Sequence, residues 1–161
     1  MLILSCDIST ATKQNPFGWA LFNGNVYLES SSFVKPGDAL ERIIAIGRWF
    51  DGFIAKTITK RGIVKYCIIE RPTGDHGNRK TDRMLGGVYY LLAYLCQKYG
   101  IEFVDVTPAE VKVTGISKHN LESGIAWIRH EARDSGRKVG KDEVDAIGIA
   151  LAFLKRERIW L

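Results

Sequence analysis

The first apolar run, LILSC at residues 2–6, stops at Asp7, and its unbroken hydrophobicity predicts a buried strand over 2–7. Two further runs follow, FGWALF at 17–22 and VYLESSSFV at 26–34. Asn23-Gly24-Asn25 lies between them, and Asn-Gly between two such runs predicts a tight hairpin. The chain therefore opens as three consecutive antiparallel strands. Lys35-Pro36-Gly37-Asp38 ends the third and offers Asp38 as a helix N-cap. Beyond it Ala39, Ile43, Ile46, Phe50, Phe53 and Ile54 recur at helical spacing, predicting a helix to about Lys60.

Ile63 to Glu70 reads as a buried central strand that again ends on an acid. A polar, basic loop (RPTGDHGNRKTD, 71–82) leads into a helix with Leu85, Val88, Leu92, Leu95 and Tyr99 on one face, stopped by Gly100. Ile101 to Val106 predicts a fifth strand. Thr107-Pro108 then opens a short helix, Thr107 at N-cap and Pro108 at N1. Ser117 caps a further expected helix with a stripe of Leu121, Ile125, Ile128 and Ala132, followed by the basic loop RDSGRKVGK at 133–141. The final helix opens on a D-x-x-D pair, Asp142 and Asp145, and carries Val144, Ile147, Gly148, Leu151 and Leu154. Strands in hairpin order, then strands alternating with helices, imply an α/β fold. It is a five-stranded mixed sheet, its first three strands antiparallel, flanked by helices. No repeat, linker or low-complexity tract divides the 161 residues, so 1–161 is expected to form a single domain.

Composition adds direction. There are 23 Lys+Arg against 18 Asp+Glu, a net charge of +5, which points towards a polyanionic partner. Asp7 interrupts the N-terminal apolar run and no basic leader precedes it, so no signal peptide is expected. The longest apolar stretch, Val88 to Cys96, falls well short of the roughly 20 residues a membrane span needs, so no membrane partner is expected. Cys6, Cys67 and Cys96 form an odd set in apolar surroundings without a C-x-x-C pair. They read as core residues of a reducing compartment, consistent with a cytoplasmic protein, nucleoid-associated or virus-encoded in a host cytoplasm. Trp19, Phe22, Trp49, Phe50 and Phe53 fall on core patterns rather than on a base-stacking surface.

The informative residues are the acids. Asp7, Glu70, Asp142 and Asp145 each lie at the edge of an apolar segment, where an unpartnered charge is costly. Phosphodiester hydrolysis needs an activated water and a stabilised leaving oxyanion, and two Mg²⁺ ions about 3.5–4 Å apart supply both. Mg²⁺ takes hard oxygen ligands, typically a few carboxylates plus substrate phosphate, and Mn²⁺ suits the same sites. With the first and fourth strands adjacent, Asp7 and Glu70 lie side by side. Asp142 and Asp145, three apart, share a helix face. Glu143 is expected to point away into solvent, and Gly148 with Ala152 to let the helix approach the sheet. Each acid also has an ordinary reading: Asp7 in a turn with Ser9 and Thr10, Glu70 paired with Arg71, Asp142 as an N-cap. Basic residues flank the acids. Arg71, Arg79, Lys80 and Arg83 follow Glu70; Arg129, Arg133, Arg137, Lys138 and Lys141 precede Asp142. They read either as a phosphate-gripping rim or as a solvated, loop-rich face.

Six segments, in order, carry a family pattern. They are I-L-S-C-D-I-S-T followed by G-W-A-L-F; I-I-E closing the fourth strand; N-x₆-L-G at 78–86; T-P-A-E-V-K at 107–112; G-I-S-K at 115–118; and D-E-V-D-A-I-G-I-A at 142–150. The chain resembles, over essentially its whole length, the RuvC-type Holliday-junction resolvases of the RNase H-like superfamily. The resemblance implies an RNase H-like fold and a homodimer that binds four-way DNA junctions. It also implies Mg²⁺-dependent paired nicks leaving 5′-phosphate and 3′-hydroxyl ends. By motif match Asp7, Glu70, Asp142 and Asp145 become the metal-binding carboxylates, with Asp7 bridging two ions. Lys112 and Lys118 match lysines near the scissile phosphate, where a Lys neutralises charge or orients the water. Two solvated lysines are the alternative.

Two departures stand out. The Lys112–Lys118 segment is shorter than the family's, and the loop after Glu70 holds no aromatic residue to stack at the crossover. Such a loop grips phosphates without stacking on a base, so relaxed specificity towards other branched DNA is expected. The expected function is a metal-dependent, structure-selective DNA endonuclease in recombination, repair or processing of replication intermediates. A ribonuclease H acting on RNA–DNA hybrids shares the same acids and stays open, as does a non-catalytic DNA-binding module of the fold. An actin-like kinase needs a second such domain and further phosphate loops, for which the chain is too short.

Overall fold

The computed structural model describes residues 1–72, 79–114 and 139–159. The helix expected after Ser117, Lys118, and the basic residues Arg129, Arg133, Arg137 and Lys138 lie outside the described residues, as does Trp160. The elements are β1 (Leu2–Asp7), β2 (Phe17–Asn23), β3 (Val26–Phe33), α1 (Ala39–Arg61), β4 (Val64–Glu70), α2 (Arg79–Tyr99), β5 (Glu102–Val106), α3 (Pro108–Val113) and α4 (Lys141–Arg156). The five strands form one sheet in the order β3-β2-β1-β4-β5. β1 pairs antiparallel with β2 and parallel with β4; β2 and β3 are antiparallel, and β4 and β5 parallel. This is the mixed sheet that the strand order implied.

The local signals act as expected. Gly24 takes φ +58°, and Asn23 pairs with Val26, so Gly24-Asn25 makes the two-residue turn of the hairpin. Asp38 caps α1 in a reciprocal box with Glu41, and Thr107 does the same for α3 with Glu110. Gly100 ends α2 at φ +65°.

β1 is central and buried on both faces, which is why its run is uniformly apolar. Leu2, Leu4 and Cys6 point to one side, where Ile46, Phe50 and Ile54 of α1 and Val88, Leu92 and Leu95 of α2 cover them. Ile3 points to the other side with Ala20, Phe22 and Ile68, under Ala146, Ile147, Ala150 and Phe153 of α4. The aromatic residues belong to this packing: Trp19 stands 4.6 Å from Phe53 and 5.9 Å from Trp49, ring centre to ring centre. All three cysteines are free and buried. Hydrogen bonding to Cys6, together with burial, raises the Cys67 thiol well above its usual value, leaving it inert. Among the described residues no helix is long and apolar enough to cross a membrane.

Candidate functional site

The sheet brings two of the acids together through register. Cys6 pairs with Ile69, so Asp7 and Glu70, the next residues, leave β1 and β4 side by side. On the other flank Asp7 pairs with Gly18 of β2. Gly18 is the floor on which α4 begins: a Cβ built there falls 2.1 Å from the Asp142 carbonyl oxygen and 2.5 Å from its carbon. Only a residue without a side chain admits the first turn of α4 this close to the sheet. That turn carries Asp142 and Asp145 over the end of β1.

The electrostatics follow from this placement. Burial raises Asp7 well above the usual aspartate range, and the charges of Asp145, Asp142 and Glu70 raise it further, while Lys141 opposes them. Burial also raises Glu70, with Asp145 adding to it and Lys112 opposing. Asp145 is raised by burial and by Asp142 against the pull of Lys141. Acids from β1, β4 and α4 therefore share one electrostatic neighbourhood, and Lys112 and Lys141 border it.

Because Asp7 is raised, the folded protein holds a proton there that the unfolded chain has released. Its destabilising effect is absent in acid. It grows as pH rises from the ordinary aspartate value, about 4, through the raised one. In EDTA, Asp7→Asn is expected to melt level with wild type near pH 4 and at a higher temperature near neutrality. Each unit by which Asp7 is raised widens that gap by about 1.4 kcal/mol. Parallel melting curves across pH 4–8 check this, and a gap that does not grow with pH contradicts the burial of Asp7 among other acids.

Several expectations need correction. Glu143 does not face solvent: it is 4 % exposed and accepts hydrogen bonds from Ser30 Oγ at 2.8 Å and the Gly140 N–H at 3.3 Å. Gly140 is the N-cap, with the Glu143 carboxylate reaching back to it, so Asp142 stands second in the first turn rather than capping it. Gly148 does not face the sheet. It faces α3, where a Cβ built on it would make ordinary contact with Val111 Cγ1 at 3.4 Å, and α3 packed against α4 here brings Lys112 towards Glu70. Close approach to the sheet comes instead from Gly18.

Arg71 pairs not with Glu70 but with Asp105, through Nε at 2.7 Å and an Nη at 3.0 Å, while the Tyr89 hydroxyl donates to the same carboxylate at 3.2 Å. The Arg71 N–H also donates to the Val106 carbonyl at 2.9 Å. These bonds staple the end of β4 to β5 immediately after Glu70. Arg79, Lys80 and Arg83 stand on the first turns of α2, along a groove that Leu40, Ile43 and Met84 also line. Both flanking helices begin at the end of the sheet where β1 and β4 finish, so this groove lies at the same end of the sheet as the acids. Sequence patterning assigned no role to Gly18 or Asp105, and Glu143 read as solvated. The acid ending IEFVD in a strand parallel to YCIIE was the available signal for Asp105.

Among the described residues no three acidic, histidine or cysteine side chains are drawn together tightly enough to cage an ion. The donor set nevertheless fits a hard divalent cation. It is all carboxylate, it rests on rigid elements, and its most buried member is opposed by three like charges that a cation would offset.

No family model and no curated protein matches the sequence. The fold is similar to that of Thermus thermophilus RuvC in complex with a Holliday-junction substrate. The TM-score is 0.73 at 13% identity, covering 99% of this chain and 96% of that one. A second T. thermophilus RuvC structure matches with TM-score 0.67, 13% identity and the same coverage. The yeast mitochondrial Holliday junction resolvase Ydc2 matches with TM-score 0.55 and 13% identity, covering 98% of this chain and 79% of that one. The protein thus has an RNase H-like fold, in the form seen in the RuvC-type Holliday-junction resolvases.

Proposed function

We propose that this protein is a metal-dependent, structure-selective endonuclease that resolves four-way DNA junctions by paired nicks. One observation carries the reading: in a fold like that of RuvC, acids from β1, β4 and α4 gather at one end of the central strands, bordered by lysines. Asp7, Glu70, Asp142 and Asp145 are the residues that hold divalent cations, two Mg²⁺ in our reading, with Mn²⁺ able to replace them. The bound cations supply Lewis-acid activation of a water and charge stabilisation at the leaving oxygen.

The chain's own residues do the rest. Glu70 and Asp7, on neighbouring strand ends, fix one side of the site, and the first turn of α4 closes the other. Lys112, held near Glu70 by the packing of α3 against α4, adds positive charge beside the phosphate. Arg79, Lys80 and Arg83, with Lys141 across the cluster, bind phosphates outside it. Arg71 acts mainly through its clamp on Asp105. Lys118, Arg137 and Lys138 are assigned to the same basic rim on sequence grounds. Paired nicks need two sites, so the active species is a homodimer. It works on recombination, repair or replication intermediates in the cytoplasm.

The test places a mobile four-way junction, a flap, a linear duplex and an RNA–DNA hybrid side by side with protein and Mg²⁺, and maps the cuts. Symmetric nicks at the crossover are expected, with the flap cut more weakly and the linear duplex spared. Cutting of the hybrid alone would replace this reading with ribonuclease H. Junction affinity should also fall steeply with salt. A footprint of about six phosphates loses roughly 10³-fold between 50 and 200 mM, and an affinity indifferent to salt would remove the basic rim from the account.

A further inference from the structure

The acid between the paired aspartates has no part in the reading above, yet it is the one charged side chain fully buried among the described residues. Glu143 accepts from Ser30 Oγ through Oε2 and from the Gly140 N–H through Oε1. Ser30 Oγ also lies 2.8 Å from the Tyr27 hydroxyl. Ser30 has one hydroxyl proton and directs it at Glu143, so the Tyr27 hydroxyl donates to Ser30. A chain of donors thus runs from β3 into the first turn of α4. Burying a carboxylate without such donors is strongly unfavourable, so the helix cannot turn without breaking these bonds.

The direction of the constraint follows from helix geometry. With 3.6 residues per turn, Glu143 projects about 100° from Asp142, and the two aspartates share the opposite flank. Fixing Glu143 towards β3 therefore turns Asp142 and Asp145 towards β1. Gly18 sets how close α4 comes to the sheet; Glu143 sets how it is rotated.

We propose that Glu143 is a positioning residue whose hydrogen bonds to Ser30 and Gly140 set the rotation of α4, and so the direction in which Asp142 and Asp145 address Asp7. The inference rests on the reading of the carboxylate cluster as a cation site. The experiment uses the full chain and three measurements: Mn²⁺ affinity without DNA, from the free-ion electron paramagnetic resonance signal; junction affinity; and single-turnover cutting. Glu143→Ala is expected to weaken Mn²⁺ binding and slow cutting by about 10–100-fold, as loss of a support behind metal ligands does, with junction affinity unchanged. Glu143→Gln keeps one acceptor oxygen for Ser30 but turns an amide NH2 towards the Gly140 N–H, so it should recover part of both losses. Ser30→Ala should fall between.

Wild-type Mn²⁺ affinity in Glu143→Ala overturns the proposal. So does a Glu143→Gln as impaired as Glu143→Ala, since the retained bond to Ser30 would then set nothing. If Glu143→Ala fails to fold, Ser30→Ala decides: weakened Mn²⁺ binding supports the proposal and wild-type binding overturns it. A wild type that binds Mn²⁺ but cuts no DNA removes the nuclease reading and leaves this proposal to stand on the Mn²⁺ series. A wild type that binds no Mn²⁺ overturns it.

Discussion

Asp7→Asn is expected to reduce junction cutting to background while junction affinity stays at or above the wild-type level. Asp7 is the member of the cluster on which every other acid acts, so a cation held there serves the whole site. Asparagine keeps the shape and one oxygen but loses the charge. Removing a single preorganised electrostatic stabiliser of a transition state costs about 10²–10³ in rate, and a residue that binds the metal is expected to cost at least that. Affinity is expected to move the other way, because in the proposed function the basic rim, not the acids, meets the phosphates, and deleting a negative charge beside DNA removes repulsion. Glu70→Gln should behave alike. The check is a gel-shift titration beside single-turnover cutting. Equal cutting by wild type and Asp7→Asn would exclude this cluster as the active site, and a shared loss of cutting and binding would point to a folding defect instead.

Gly18→Ala is expected to be nearly as damaging to cutting, though it removes no acid. The new methyl carbon would sit 2.1 Å from a backbone oxygen and 3.0 Å from Asp142 Cβ. No rotamer change relieves a clash with backbone, so the start of α4 must lift by about 1 Å, a displacement that can cost 10²-fold in catalysis. Overpacking of this kind also costs about 1–3 kcal/mol of stability. Gly52→Ala is the matched control. Gly52 lies within α1 with nothing near its absent side chain, so alanine there should stabilise by up to about 1 kcal/mol and leave cutting unchanged. Melting curves and cutting rates on the two variants check both statements. Normal cutting by Gly18→Ala would mean that the helix start is not held against the strand.

The strands, the hairpin and the capped helices were legible because each rests on local chemistry. Asp38, Gly24, Gly100 and Thr107-Pro108 act on neighbouring backbone, and neighbours are what a sequence displays. The four acids stood out for a related reason: a charge at the edge of an apolar run is conspicuous in one dimension. What escaped was contact between distant segments. Glu143 looked solvated because no periodicity in D-E-V-D foretells Ser30 on β3. α4 is buried nearly all round, so its apolar pattern could not say which face meets the sheet and which meets α3. Gly148 was therefore assigned to the wrong neighbour, and Gly18, second in an apolar strand, gave no sign of the helix above it. Arg71 was read as a phosphate ligand because its partner, Asp105, lies a whole helix further on.

β1 and α4 come from opposite ends of the described chain, and each supplies acids to one cluster. On a ribosome the strand therefore emerges long before the helix. Until α4 arrives, the face holding Ile3, Phe22 and Ile68 is bare hydrocarbon and Asp7 looks onto water. A half-made chain is thus sticky and lacks half of its acids, and it completes the carboxylate cluster in the same docking event that hides its greasy side.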